Sequence, residues 1–309
     1  MSAIKLKTVN LLNGETLGYR EREGGSEVVL LIHGNMTSSK HWDLVLENMD
    51  EKYKLYAVDM RGFGISSYNE PIRSIKDFAN DIKLFVDELQ LKYFSIFGWS
   101  TGGAVGMQFV AENPGYCKKL ILLASASTRG YPLFGMNEQG QPDLTKRIAT
   151  LEEVKEDKQR TIPIQNAYDM KNKQFLKTLW DMLIYRKHQP NDERYDEYLD
   201  DMLTQRNLAE VYQALNTFNI SEVHNGLTEG SGLVSNISIP ALVLRGDEDL
   251  VVTDQMTREI LADLSNNATY IELAGCGHSP LVDDLEKLLR IVSEFIELPE
   301  DNNGINRLK

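Results

Sequence analysis

The chain has little cysteine, little histidine and too few basic residues to balance its acids. Cys117 and Cys276 are the two cysteines in 309 residues. Two thiols exclude a disulfide framework or a zinc cluster and fit free, buried side chains in a reducing compartment. Lys and Arg number 33 against 46 Asp and Glu, a formal net charge of -13. That excess of acid excludes nucleic acid and anionic membrane as partners, because both repel it. Long apolar runs are missing as well. Nothing approaches the roughly 18 consecutive apolar residues of a membrane span. MSAIKLKTVN lacks the apolar stretch of about 7–15 residues that marks a secretory signal. There is no internal repeat and no low-complexity tract. A soluble cytoplasmic protein is the expectation, and 42% hydrophobic with 26% charged residues suffices for an ordinary globular core.

What is present is an alternation. IKLKTVNL and ETLGYRE alternate apolar and polar residues around Asn13-Gly14, which predicts a β-hairpin. EVVLLIHG, YKLYAVD, YFSIFGWS and KKLILLAS are short apolar runs of the kind shown by strands buried on both faces. Between them a helical stripe runs through Ile75, Phe78, Ala79, Ile82, Phe85, Val86 and Leu89. A second helical stretch, Ala104 to Val110, continues from the glycines before it until Asn113-Pro114 stops it. The pattern predicts an α/β fold, a mostly parallel central sheet with helices on both faces. From 127 to 236 the alternation lapses into a polar, aromatic-rich stretch, helical in tendency and without strand-like runs. IPALVLRG, ATYIELAG and LEKLLRIVSEFI then resume it. One core, residues 1–126 and 237–298, is therefore expected to carry a helical insertion at 127–236 and a polar, frayed tail at 299–309.

The residues with chemistry fall at the ends of these runs. GWSTGG, Gly98 to Gly103, contains G-x-S-x-G, a pattern that about one chain in ten of this length carries by chance at average Gly and Ser usage. Its context is more specific: a strand before and a helix after, as a nucleophile elbow requires. Gly98 and Gly102 stand where a Cβ would collide, Gly103 lets the helix approach the sheet, and the helix start offers free N–H groups to an oxyanion. Ser100 is the expected nucleophile. Of the five histidines, His278 follows the strand ATYIELA, at the carboxyl edge where sites of parallel sheets form, and is the expected base. His33 is expected to shape the loop beside Gly34, and His41, His188 and His224 to be structural or solvated. Asp247 and Asp249 both follow ALVLRG, one helix and one strand before His278. Asp249 is preferred as the orienting acid and Asp247 as a loop residue. The backbone N–H groups of Asn35 and Thr101 are the natural oxyanion donors.

Taken together, the HGN loop, DMRGFGIS, GWSTGG, GDED before VV, and GCGHSP resemble the α/β-hydrolase superfamily, with residues 127–236 in the place of its helical cap. Four segments are similar to intracellular poly(3-hydroxybutyrate) depolymerases of the Bacillus type: HGNMTSSKHWD, GWSTGGAVGMQF, PGYCKKLILLASASTRGYP and DDMLTQRNLAEVY. That resemblance implies a serine esterase acting on short-chain polyester or its oligomers, with a polyester granule as a surface it would meet.

Other readings are weaker. GNMTSSKH has Ser39 where a phosphate-binding loop needs glycine and His41 where its Mg²⁺ hydroxyl belongs. RGFGISS lacks the last glycine of a dinucleotide fingerprint, DEDLVV lacks the ligands and glycine of a calcium loop, and no H-E-x-x-H occurs. Neither cofactor nor metal is expected. Trp99, Tyr131, Phe134 and Trp180 are candidates to line an apolar substrate pocket, against the alternative that they pack the elbow and the insertion. The expected activity is hydrolysis of a carboxylic ester through Ser100, His278 and Asp249. The alternatives are a lactone, an amide or an N-terminal proline bond on the same fold, or a ligand receptor that keeps a hydrolase shell. A dehalogenase would need Asp at position 100.

Overall fold

The computed structural model describes residues 3–299 apart from 138 and 140. The first strands, β1 (Ile4–Asn10) and β2 (Thr16–Arg22), form the expected antiparallel hairpin. There follow β3 (Glu27–Ile32), α1 (Asp43–Asn48), β4 (Tyr53–Val58), α2 (Ile75–Glu88), β5 (Phe94–Trp99), α3 (Thr101–Glu112) and β6 (Cys117–Leu123). The insertion then carries β7 (Phe134–Met136), β8 (Pro142–Arg147), α4 (Leu151–Lys155), α5 (Thr161–Asp169), α6 (Lys173–Leu183), α7 (Asp192–Met202) and α8 (Leu208–Thr217). The core resumes with β9 (Ala241–Gly246), α9 (Asp254–Leu264), β10 (Ala268–Leu273), α10 (Pro280–Asp283) and α11 (Leu285–Glu297). The tail expected to fray lies outside the described residues beyond Pro299.

Eight strands make one sheet in the order β1-β2-β4-β3-β5-β6-β9-β10. Pairing is parallel from β4 through β10 and antiparallel at β2 on β4 and β1 on β2. The two-residue period of a strand divides each apolar run between two cores. Leu30, Ile32, Ile96, Leu120 and Val243 pack with α2 and α3 on one face. Val29, Leu31, Phe97, Ile121 and Leu244 pack with α1, α11 and the insertion on the other. Both faces are covered, which is why these strands read as continuous apolar segments. The helices follow local signals. Ser74 and Asp77 close a capping box at the start of α2, and Ile75, Phe78, Ala79, Ile82, Phe85 and Val86 are its buried stripe.

One sequence expectation needs correction. The insertion was expected to lack strands, yet β7 and β8 form an antiparallel two-stranded ribbon. Its strand PDLTKR is mostly exposed, so it carries no apolar run to reveal it. The turn side chain of Asn137 accepts from the Gln139 and Gln141 amides (3.0 and 2.9 Å), and this local chemistry closes the hairpin.

Candidate active site

Ser100 stands between β5 and α3 with φ +56° and ψ −116°, a strained conformation for a residue with a Cβ. The neighbouring glycines make the turn sterically possible. A Cβ on Gly98 would meet the Gly102 carbonyl oxygen at 2.4 Å, and one on Gly102 would meet the Ile32 carbonyl oxygen at 2.0 Å. Backbone bonds hold the elbow: the Ser100 amide donates to Leu123 O (2.9 Å), while Ser100 O accepts from Gly103 N (3.0 Å). Ser100 is partly exposed. Thr101 opens α3, so its amide belongs to the first turn and has no helical acceptor.

The loop after β3 faces the elbow. A Cβ on Gly34 would lie 3.1 Å from Ser100 Cβ, which places the Gly34–Asn35 backbone against the serine. His33 shapes this loop. Its ring is fully buried, Nε2 accepts from the Met60 amide (3.0 Å) and Nδ1 therefore donates to Gly34 O (2.7 Å). Burial pushes its pKa down to about 4, so at neutral pH the ring is an uncharged strut.

The loops after β9 and β10 meet because these strands pair in parallel register, Leu273 opposite Gly246. His278 Nδ1 lies 2.9 Å from Asp249 Oδ2 and 3.1 Å from Oδ1. Since a carboxylate only accepts, Nδ1 carries the proton and Nε2 is left as the acceptor. Asp249 Oδ1 also accepts from the Val251 and Val252 amides (2.7 and 3.0 Å). Burial pushes the Asp249 carboxyl up, but His278 and those amides outweigh it and hold the group below its usual range. Asp247 instead accepts from Gly275 N–H at 2.8 Å and ties the two loops together. Trp99 closes the arrangement: its Nε1 donates to His278 O (3.0 Å), and the two rings are 5.8 Å apart. The residue before the serine is thus bonded to the histidine.

The four aromatic candidates are engaged as follows. Trp99 is buried and packs the elbow. The Tyr131 hydroxyl donates to Val251 O in the Asp249 loop (3.1 Å). Phe134, on β7, lies under the Arg147 guanidinium at 5.3 Å, and Trp180 packs against Tyr185 of the insertion and His41 of the core. For the last two, these packing contacts are what the structure shows. Two surface clefts, of about 390 and 490 Å³, are lined by Glu27, Lys52 and Lys118 and by Asp87, Gln90 and Lys92. They open at the amino ends of the strands. The titratable groups converge at the opposite, carboxyl edge, and chemistry marks the site better than volume does.

Sequence reasoning missed Gln205. Its Nε2 donates to Asn35 Oδ1 at 2.8 Å, across 170 residues of chain. The segment DDMLTQRNLAEVY carries a family resemblance, and its polar composition is the one local signal it offers.

Known proteins agree with this architecture. The family model described as alpha/beta hydrolase fold matches residues 27–285. The chain belongs to the α/β-hydrolase family. The AB hydrolase superfamily protein YisY of Bacillus subtilis (strain 168) is 23% identical over 284 residues, 90% of this chain and 94% of that protein. A pimeloyl-[acyl-carrier protein] methyl ester esterase of Legionella pneumophila (strain Corby) is 23% identical over 279 residues, 90% of this chain and 99% of that one. Among solved structures, an esterase from Exiguobacterium antarcticum matches with a TM-score of 0.72 at 16% identity, covering 94% of this hydrolase and 99% of that chain. Among the described residues, no helix of this hydrolase is long and apolar enough to cross a membrane.

Proposed function

We propose that this hydrolase cleaves carboxylic esters through a Ser100–His278–Asp249 triad, and that its substrate is a short-chain 3-hydroxyalkanoate polyester or its oligomers. The observation that carries the triad is the His278–Asp249 pair bonded, at the His278 carbonyl, to Trp99, the residue preceding a serine held at φ +56°. In this reading Ser100 Oγ attacks the acyl carbon while His278 Nε2 takes its proton. The carbonyl electrons move to oxygen, where the Asn35 and Thr101 amides receive the charge. When the tetrahedral adduct collapses, the ester C–O bond breaks and the alcohol leaves with the proton from His278. Water then attacks the acyl-enzyme with the same histidine as base, releasing acid and Ser100. Asp249 keeps the imidazole in one tautomer and stabilises it when charged.

The polyester assignment draws support from the four depolymerase-like segments of the sequence. Two of them, HGNMTSSKHWD and DDMLTQRNLAEVY, are bonded to each other through Ser38, His41 and Asp201. An intracellular granule or its soluble oligomers would be met in the cytoplasm. A fluorophosphonate should label the wild type and not Ser100→Ala, and labelling of both refutes the triad. Release of 3-hydroxybutyrate from soluble trimer and from native granules tests the substrate; hydrolysis of p-nitrophenyl butyrate without either release removes the polyester assignment alone.

A further inference from the structure

We infer that the oxyanion hole is completed by the insertion: Gln205, between α7 and α8, is a positioning residue for Asn35. The inference rests on the serine-hydrolase reading and adds a part to it. A chain of side-chain amides carries it. Asn207 Nδ2 donates to Arg61 O at 2.8 Å. A carbonyl only accepts, so Asn207 must turn its Oδ1 the other way, where it accepts from Gln205 Nε2 at 3.1 Å. That fixes the Gln205 amide as well. Its Oε1 accepts from the Tyr168 hydroxyl at 3.0 Å, and its second N–H reaches Asn35 Oδ1 at 2.8 Å. One backbone carbonyl therefore orients three amides, and the last of them is the side chain of Asn35, the residue assigned as oxyanion donor in the proposed reaction.

Burial gives the chain its stiffness. Gln205, Asn207 and Tyr168 are all buried, so the Tyr168–Gln205 and Gln205–Asn207 bonds are shielded from water and the Gln205 amide would be costly to leave unpaired. The Gln205–Asn35 bond at the end of the chain is partly buried. The loop it holds needs holding. Met36, next to Asn35, sits at φ +62°, a strained value for a residue with a side chain. His33 and Thr37 hold the loop at Gly34 O, and the Gln205 bond is what holds the Asn35 side chain itself. Without it the Asn35 amide would be free to shift from the serine.

The segment that delivers Gln205 is fastened on both sides. Asp201 accepts from Ser38 Oγ at 2.6 Å and from His41 Nδ1 at 3.1 Å. Thr204 Oγ1 accepts from Gly64 N at 2.8 Å, and the Arg206 amide donates to Gly62 O at 2.9 Å. The insertion thus docks beside the elbow through polar bonds to the β3 and β4 loops. With Gln205 in place the hole is whole, and lifting this segment would leave Asn35 untethered. Substrate must enter without breaking it.

A double-mutant cycle on the full chain tests the idea, with active sites counted by fluorophosphonate titration. Gln205→Leu should lower kcat for p-nitrophenyl butyrate by about 10- to 100-fold, less than outright loss of a donor, with KM within about threefold. It should weaken a trifluoromethyl ketone, whose hemiketal oxygen occupies the hole, by a similar factor. In an Asn35→Ala background, where the acceptor is already gone, the same change should cost less than about twofold. Tyr168→Phe, the milder variant should Gln205→Leu fail to fold, should lower kcat about two- to fivefold through the same cycle. Multiplicative losses in the double variants, an unchanged ketone affinity, or a loss confined to KM overturn the inference. Wild type that is not labelled at Ser100 overturns the serine-hydrolase reading. Labelled wild type with a fully active Gln205→Leu overturns only the role of Gln205.

Discussion

This hydrolase contains two buried His–Asp pairs of nearly the same geometry. His278 Nδ1 stands 2.9 Å from Asp249 Oδ2, and His41 Nδ1 stands 3.1 Å from Asp201 Oδ2. In both, the partners hold the carboxyl below its usual range against the push of burial. The surroundings separate them. His278 follows β10 at the sheet edge and is bonded to Trp99, next to Ser100. His41 is stacked on Tyr198 at 4.2 Å with Trp180 on it at 5.4 Å, and its Nε2 is buried without a partner. The spare carboxylate valence differs as well: backbone amides of its own loop for Asp249, the Ser38 hydroxyl of the core for Asp201. A buried imidazole–carboxylate pair is thus a structural tie by default. In the proposed reaction it becomes chemistry at His278, whose free nitrogen would take the proton of Ser100.

The largest expected contrast is between the two histidines. His278→Ala should lower kcat for p-nitrophenyl butyrate by about 10⁴-fold or more with the fold intact. His41→Ala should keep kcat per titrated active site within about tenfold and lose thermal stability, since it leaves the largely buried Asp201 carboxylate with only the Ser38 hydroxyl. Equal catalytic losses would erase the distinction. Next come the acids. Asp249→Asn should reduce kcat by about 10²–10⁴-fold, whereas Asp201→Asn should lower Tm by about 5–10 °C; steady-state kinetics and calorimetry on both variants decide it.

His33, a third buried histidine, sharpens the comparison from the side of pH. Its pKa falls to about 4 in the folded chain from 6.5. Between those values the unfolded chain binds the extra proton, so stability rises with pH and is lost as pH falls from 6.5 to 4, by about 3 kcal/mol. Denaturant titrations of His33→Asn should show a correspondingly flatter slope in that window, and an unchanged slope would refute the assignment. The smallest effect is expected at Asp247. Its carboxylate is exposed and serves the Gly275 amide, so Asp247→Asn should leave kcat within about threefold, a loop-bond effect. A loss like that of Asp249→Asn would reverse the choice of acid.

How much was legible in the sequence follows the range of each interaction. Ser100 could be read because an elbow is local: glycines two residues either side, a strand before, a helix after. Asp249 and His278 could be read because each follows a strand that announces itself by an apolar run, and paired strands bring their loops together. The β7–β8 ribbon could not, because its strands are short and polar and show no core-facing period. The contacts of Phe134 and Trp180 were not legible either, since an aromatic on a helix or strand carries no sign of which neighbour covers it. Gln205 was invisible for a related reason, since one polar residue among many on the insertion becomes distinctive only when folding brings it to Asn35.

By itself the sequence determined the α/β architecture, the elbow and the order of serine, acid and histidine, because residue size, apolar period and glycine steric demands act within a few positions of the chain. The tertiary structure alone decided which His–Asp pair adjoins the serine, that Asp247 ties loops while Asp249 meets the imidazole, and that the insertion reaches Asn35. Those outcomes depend on hydrogen bonds of a few ångströms between segments far apart in the chain, and such bonds leave no periodicity behind them.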